Sequence, residues 1–145
     1  MSFIDLEGDV KKLSIENILN DQLTDSLLGG GLDAASARSS AISNNIANIN
    51  TKGYKRQYVT FEENLKQSMD NIQLKKDDTR HIGLGNAQGS ITTHTDNSTS
   101  MRDDGNNVDI NVETVNQAAN ELMYNSLITL ENNRLNMRKS VIMGN

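Results

Sequence analysis

Two stretches at opposite ends of the chain repeat apolar residues at alternating spacings of four and three, and this spacing is the strongest constraint on the fold. It places side chains along one face of an α-helix, as in the seam of a coiled coil. The first stretch predicts a helix from Leu32 to Asn48. Its stripe begins upstream of that helix and comprises Leu28, Leu32, Ala35, Ser39, Ile42, Ile46 and Ile49.

The second stretch predicts a helix from about Glu113 to about Ile142. The carboxylate of Glu113 suits a helix N-terminus, where the helix dipole favours negative charge. The stripe comprises Val115, Ala119, Met123, Leu127, Leu130, Arg134, Met137 and Val141.

A glycine triplet, Gly29 to Gly31, interrupts the first stripe. Each glycine costs a helix about 1 kcal/mol relative to alanine, so the helix is expected to begin only near Leu32. The residues before the triplet keep a ragged apolar face, which is typical of a marginal helix that needs a partner.

The middle of the chain is polar and rich in turn-forming residues. A turn is predicted after Asn48, with Gly53 supplying a positive φ; its residues are Thr51, Lys52, Gly53 and Tyr54. Residues 58–76 are compatible with a short helix or a strand, and a helix from Glu62 to Asn71 is preferred. Residues 77–107 favour loops and short edge strands. Residues 107–112 alternate polar and apolar side chains, which indicates a short strand or an extended arm.

These elements predict a mainly α fold. Two long amphipathic helices, at the N and C termini, are expected to pack as an antiparallel, coiled-coil-like pair, with a polar loop and a short β or extended segment between them. The expected regions are 1–50 (helical), 51–112 (turn, loop and extended segments) and 113–145 (helical), with the two terminal regions forming one domain.

The apolar stripes could form an internal core or could pack against other subunits. Aromatic residues make up only 3% of the chain, and this scarcity of large core side chains favours packing between subunits. Asn44, Asn45 and Asn48 could either link subunits by hydrogen bonds or cap the helix end. The candidate assembly residues are Leu32, Ala35, Ile42, Asn44, Asn45, Ile46, Asn48, Ile49, Met123, Leu127, Leu130, Arg134, Met137 and Val141.

The residues give no support for catalysis or for a cofactor or metal. The two histidines, His81 and His94, lie in the polar middle segment, and no nucleophile motif is present. Acidic and amide residues cluster at 103–109, but Gly105 comes too early for a calcium loop. Gly83, Gly85 and Gly89 miss the dinucleotide-binding spacing. A structural role is therefore expected, with no small-molecule substrate.

The charge and hydropathy of the chain disfavour two further classes of partner. The net charge is −5 and the longest basic cluster is Lys75-Lys76, so nucleic-acid binding is not expected. No run of 18 apolar residues occurs, and the first fifteen residues lack the pattern of a cleaved signal peptide. We expect neither a membrane span nor signal cleavage.

Residues 43–56 closely resemble the N-terminal signature of flagellar rod and hook axial proteins, an NNIAN motif followed by a T-P-G-Y turn. In this chain Lys52 stands where that turn has proline. The C-terminal part, from Asp104-Gly105-Asn106 through the helix at 113–142, is similar to the FlgB type of proximal rod protein in the flagellar basal-body rod family. The two matches bracket about two thirds of the chain.

The resemblance implies a structural subunit of the proximal rod of the bacterial flagellar basal body. It implies export through the flagellar type III system without signal cleavage, assembly through the terminal helices, and transmission of torque from motor to hook. The implied partners are other rod proteins, the proteins of the basal-body base and export gate, and copies of the chain itself. The alternatives are a FlgC-like or other axial or adaptor protein, and a helical export chaperone.

Overall fold

Two long helices dominate the structure, a computed structural model that describes residues 3–66, 89–99 and 102–144, with side chains from residue 21 onwards. Helix α1 spans Phe3–Ala47 and helix α2 spans Ile110–Met143. Strand β1 (Gln57–Thr60) pairs antiparallel with strand β2 (Thr92–Thr95). The predicted mainly α fold with a short β segment in the middle is confirmed.

The two helices pack against each other in antiparallel orientation. Near the C-terminal end of α1, Asn45 contacts Glu113 in the first turn of α2. Near the opposite end, Asp21 of α1 pairs with Arg134 of α2. The predicted antiparallel helix pair is therefore confirmed.

Helix α1 begins at Phe3, far upstream of the predicted start at Leu32, and runs through the glycine triplet without a break. Two of the glycines lie where other elements approach closely. A Cβ atom on Gly30 would lie 3.1 Å from Phe61 Cζ, and one on Gly31 would lie 3.2 Å from Leu127 Cδ1. Phe61 and Leu127 can approach α1 this closely only because glycine has no side chain, and these contacts offset the low helix propensity of glycine.

Helix α2 begins three residues before Glu113, so the extended conformation predicted for residues 110–112 is wrong. Asp109 caps the helix: its Oδ1 accepts hydrogen bonds from the backbone N–H groups of Asn111 (2.8 Å) and Val112 (3.4 Å). A capping carboxylate satisfies donors that a helix start leaves unpaired, and it outweighs the alternating pattern of the following residues. Residues 105–109 themselves lie outside helices and strands.

The helix predicted from Glu62 to Asn71 is present at residues 62–66, and the rest of that range lies outside the described residues.

The apolar core is thin and built largely of small side chains, as the scarcity of aromatics implies. Its apolar members are Leu28, Ala34, Ala35, Ala41, Ile42, Val59, Phe61 and Val108.

The turn that follows α1 has the geometry expected from its sequence. The Tyr54 N–H donates to the Thr51 carbonyl oxygen at 3.2 Å, which closes a four-residue turn. Gly53 has a φ of +74°, and no non-glycine residue in the described ranges has a positive φ. A positive φ at the third position alone is the pattern of a type II turn.

Candidate assembly interface

Asn45 joins three parts of the chain through its side-chain amide, which is fully buried. Its Nδ2 donates to the Gln57 carbonyl oxygen (2.7 Å) and to Glu113 Oε2 (2.9 Å). Its Oδ1 accepts from the Gln57 N–H (2.8 Å) and from the Tyr54 hydroxyl (3.2 Å). One side chain of α1 thus fixes the start of β1 and the first turn of α2. We call this group, Asn45 with Tyr54, Arg56, Gln57 and Glu113, the polar junction.

The charge of the polar junction is balanced by one ion pair. Glu113 is fully buried, and its Oε1 accepts from Arg56 Nε at 2.6 Å. A buried carboxylate is tolerated when it is paired and hydrogen-bonded, and Glu113 has both a guanidinium and an amide partner. Burial raises the pKa of the Tyr54 hydroxyl, and the negative charge of Glu113 raises it further. Tyr54 therefore stays a neutral hydrogen-bond donor at physiological pH.

Asn106 binds the turn that follows α1 from 55 or more residues away in the sequence. Its Nδ2 lies 2.9–3.0 Å from the carbonyl oxygens of Asn48, Ile49 and Thr51. Carbonyl groups in a turn have no ladder of partners as they would in a helix or a sheet, and this buried amide supplies a donor. The loop before α2 is thereby fastened to the turn after α1.

The face of α2 that packs on α1 is more polar than the predicted apolar stripe. Glu113, Asn120, Leu127 and Arg134, spaced seven residues apart, all contact or approach α1. Asn120 Nδ2, for example, donates to the Ala35 carbonyl oxygen at 2.8 Å. The heptad spacing is real, but polar residues occupy most of the inner face.

Four charged residues hold the opposite end of the helix pair. Arg134 lies 2.5 Å from Asp21 Oδ1 and 2.8 Å from Asp25 Oδ1, while Arg138 lies 2.9 Å from Asp21 Oδ2 and also pairs with Asp25. The Arg138 hydrogen bond lowers the pKa of Asp25, with Arg134 adding to the effect and burial opposing it. We call the four residues Asp21, Asp25, Arg134 and Arg138 the ionic clamp. All four side chains remain partly exposed, so water and salt screen these pairs.

A second side of α2 carries large apolar residues that nothing in the described chain covers. At 100° per residue these positions fall within about 100° of each other around the helix axis. Among them, Leu130 is 52% exposed and Met137 is 61% exposed. We call this face the outer stripe; its members are Val115, Leu122, Leu130, Met137 and Val141.

The predicted assembly residues divide between the interior of the chain and its surface. Ala35, Ile42 and Asn45 are buried within the chain. Exposed residues are Asn44, Leu130, Met137 and Val141. Half-buried residues are Leu32, Ile46, Asn48, Ile49, Met123, Leu127 and Arg134. In the turn, Thr51, Lys52 and Gly53 are exposed and Tyr54 is half-buried.

Sequence reasoning missed the buried residues Glu113, Asn106 and Asn120 and the half-buried Arg56 as organisers of the helix pair. Asp109 could have indicated where α2 begins, because aspartate is a favoured N-cap residue. A helix that begins directly after Asp109 has Glu113 in its first turn. No pattern in the sequence indicated that Asn106 would reach the end of α1.

A groove with a volume of about 280 Å³ lies beside the polar junction, between α1, β1 and α2. Its apolar surface comes from Ala41, Ile42, Val59 and Met123. Polar residues along its walls are Arg38, Arg56, Gln57, Asn116 and Asn120. We call it the junction groove.

The chemistry of the described residues gives no sign of a metal centre. Within residues 21–66, 89–99 and 102–144, no three His, Asp or Glu side chains are arranged to hold a metal ion. His94 stacks on Tyr58 with ring centroids 5.3 Å apart and lies 3.0 Å from Thr60 Oγ1, whereas His81 lies outside the described residues. No helix in the described ranges combines the length and hydropathy needed to cross a bilayer.

Comparison with known proteins points to one family. The family model described as "Flagella basal body rod protein" matches residues 27–55, which cover the second half of α1 and the turn after it. The flagellar basal body rod protein FlgB of Bacillus subtilis is 32% identical over 117 residues, covering 81% of this chain and 91% of that protein. FlgB of Borreliella burgdorferi is 35% identical over 109 residues, covering 69% of this chain and 81% of that protein. FlgB of Proteus mirabilis is 28% identical over 121 residues, covering 77% and 87%.

Proposed function

This chain belongs to the FlgB family of flagellar basal body rod proteins, and we propose that the outer stripe of α2 is the surface through which it joins its neighbours in the rod. The chain is a structural subunit of the flagellar basal body, and it assembles with other rod components. The single observation that carries the proposal is the outer stripe, a row of large apolar side chains left in water. Soluble monomers seldom leave such a face uncovered unless a partner covers it.

The different chemistry of the two faces of α2 supports this assignment. The inner face is fixed to α1 by specific hydrogen bonds and ion pairs, which set the register of the helix pair. The outer stripe is apolar and more than half exposed at each of its members, so its burial in a neighbour would be favourable at about 25 cal/mol per Å². Polar contacts would thus define the subunit, while apolar contacts would drive assembly.

Export through the flagellar type III system follows as a further part of the proposal. The core is thin and built of small side chains, and polar contacts make up much of the inner face, so unfolding exposes little apolar surface. Such a subunit can pass through a narrow channel unfolded and become fully ordered when neighbours bury its outer stripe. The same packed helices, continuous over 45 and 34 residues, would transmit torque along the rod.

The proposed partners are other rod proteins, proteins of the basal-body base and export gate, and copies of the chain. Its relatives belong to a structural family, and we propose that the chain itself has no catalytic activity. An axial subunit has no need of a substrate site, and the partly apolar junction groove offers no pair of titratable groups arranged for proton transfer.

Two double variants, one on the outer stripe and one at exposed positions outside it, test the proposal. Leu130→Asp with Met137→Asp places charges on the outer stripe. Asn132→Asp with Asn136→Asp adds the same charge at exposed neighbouring positions. In cells lacking the native gene, we expect the first variant to abolish rod assembly while the purified protein keeps its helical circular dichroism. Rods and swimming restored equally by both variants would contradict the proposal.

A further inference from the structure

Among the residues whose side chains the structure describes, the last three of α2 form the most exposed apolar group. Val141 is 83% exposed, Ile142 is 84% exposed and Met143 is 65% exposed. They lie on different sides of the helix, so no single partner helix alongside α2 would cover all three. Burial of the whole tip requires a recess that accepts a helix end.

The junction groove is a recess with a mixed apolar and polar lining, and it lies toward the other end of the same helix. It offers about 280 Å³ between three elements, with an apolar surface from α1, β1 and α2. Asn120, which lines it, precedes Met143 by 23 residues, or about 35 Å along α2. The tip of a chain therefore cannot reach its own groove, and only the tip of another copy can reach it.

The charges of the two surfaces are complementary. The C-terminal end of a helix carries a partial negative charge on carbonyl groups that have no partner within the helix. The last turn of α2 contains no basic residue that would neutralise this charge. Two guanidinium groups, those of Arg38 and Arg56, line the groove. Arg38 pairs with Glu62 and also donates to Met123 Sδ at 3.8 Å, and Arg56 pairs with Glu113. A guanidinium has five N–H donors, and these partners do not use all of them.

From these observations we propose that the α2 tip of one copy, residues 141–143, docks in the junction groove of the next copy. The inference rests on the proposed rod function, since it names one of the contacts that the rod would contain. Tip and groove are different surfaces, so the contact is head to tail. A contact of this kind does not close on itself as a two-fold dimer does, and it can generate an open helical stack.

The absence of cysteine from the chain permits a direct cross-linking test. A double variant carries Asn116→Cys at the groove and Ile142→Cys at the tip, and basal bodies are isolated and treated with a short bis-maleimide. We expect most of the chain to shift from the monomer band to a ladder of dimers and larger oligomers. Either single variant should remain largely monomeric, because a head-to-tail contact brings together two different sites.

The matched control pairs Ile142→Cys with Thr114→Cys, which lies two residues from Asn116 on another side of α2 and is exposed. It should give no ladder. If the Asn116→Cys, Ile142→Cys chain forms no rods alone, it is tagged and expressed beside the wild-type chain, so that mixed rods are cross-linked. Rods and swimming cells without the ladder would overturn the head-to-tail contact and leave the rod function standing. A ladder of equal strength from the control, or dimers from a single variant, would also overturn it.

Discussion

Asn45 and Glu113 meet at 2.9 Å in the interior, one from the C-terminal end of α1 and the other from the first turn of α2. Asn45 lies within the part of the chain that matches the rod-protein family model. The contact gives this residue an internal role, because it bridges β1 and both helices within one subunit. In this subunit Asn45 therefore holds the helix pair together, whereas its neighbour Asn44 faces solvent.

Replacing Asn45 by alanine should destabilise the subunit strongly. The change leaves the Gln57 N–H and carbonyl groups and one oxygen of Glu113 without their partner in a buried site. We expect the free energy of unfolding to fall by about 2–3 kcal/mol. Asn44→Ala, at the exposed neighbouring position, should change it by less than about 0.5 kcal/mol. Urea unfolding followed by circular dichroism measures both, and similar losses in the two variants would contradict the role assigned to Asn45.

Two glycine-to-alanine changes should shift the stability of the chain in opposite directions. Gly53 has a φ of +74°, and a side chain there is strained even though no described atom lies within 4 Å of the added Cβ. We expect Gly53→Ala to destabilise the chain by about 1–2 kcal/mol. Gly29 lies inside α1 with equally open space around its Cβ position, so Gly29→Ala should stabilise the chain by about 1 kcal/mol. If thermal melts show that both variants raise the melting temperature, or that both lower it, the turn assignment is refuted.

Lys52→Pro should stabilise the turn. Lys52 is exposed and occupies the second position of a turn whose third position is Gly53, where proline fits a type II geometry. Proline restricts the unfolded chain, which is worth about 0.4–1 kcal/mol when the native φ suits it. Lys52→Ala serves as the control for loss of the side chain. A lower melting temperature for the proline variant than for the alanine variant would show that the turn differs from this geometry.

Acid should open the end of the helix pair that the ionic clamp holds. The pKa of Asp25 lies below its ordinary value of 3.8 in the folded chain, chiefly because Arg138 donates to it. A lowered folded-state pKa stabilises the fold above the ordinary pKa, and this contribution is lost as the pH falls through the folded value. As the pH falls below 3.8 toward the folded-state pKa of Asp25, we therefore expect this end of the helix pair to open progressively. High salt should act in the same direction by screening.

Spin labels at Gln22→Cys on α1 and Asn136→Cys on α2 report that separation by pulsed electron paramagnetic resonance. The distance distribution should broaden toward longer values between neutral pH and pH 3. In an Asp25→Asn background the broad distribution should already appear at neutral pH, with a smaller further response to acid. An Asp25→Asn variant whose distance distribution at neutral pH is as narrow as that of the unchanged chain would rule out an electrostatic clamp.

The sequence predicted the parts of this fold that depend on periodicity and local turn chemistry. The four-three spacing identified both helices, and Gly53 identified the turn. The start of α1 was misplaced because glycine propensity is a local property, whereas the space near Gly30 and Gly31 is taken by Phe61 and Leu127, residues 31 and 96 positions away. Long-range packing of this kind leaves no local signal.

The candidate interface was predictable only in part for a similar reason. The four-three spacing treated Leu127 and Leu130 as members of one stripe, but in the structure Leu127 approaches α1 and Leu130 faces solvent. Charged and amide side chains on the inner face, such as Glu113 and Asn120, look like surface residues in a sequence. They become interior residues only because Arg56 and Asn45 reach Glu113 and the Ala35 carbonyl accepts from Asn120. Such partners are fixed by the tertiary fold.

The most direct test of the central claim, that this chain builds the flagellar rod, is electron microscopy of basal bodies from the source bacterium after deletion of its gene. We expect cells that do not swim and basal bodies that have rings but lack the rod, with both defects reversed by the wild-type gene. Intact rods and normal swimming in the deletion strain would contradict it.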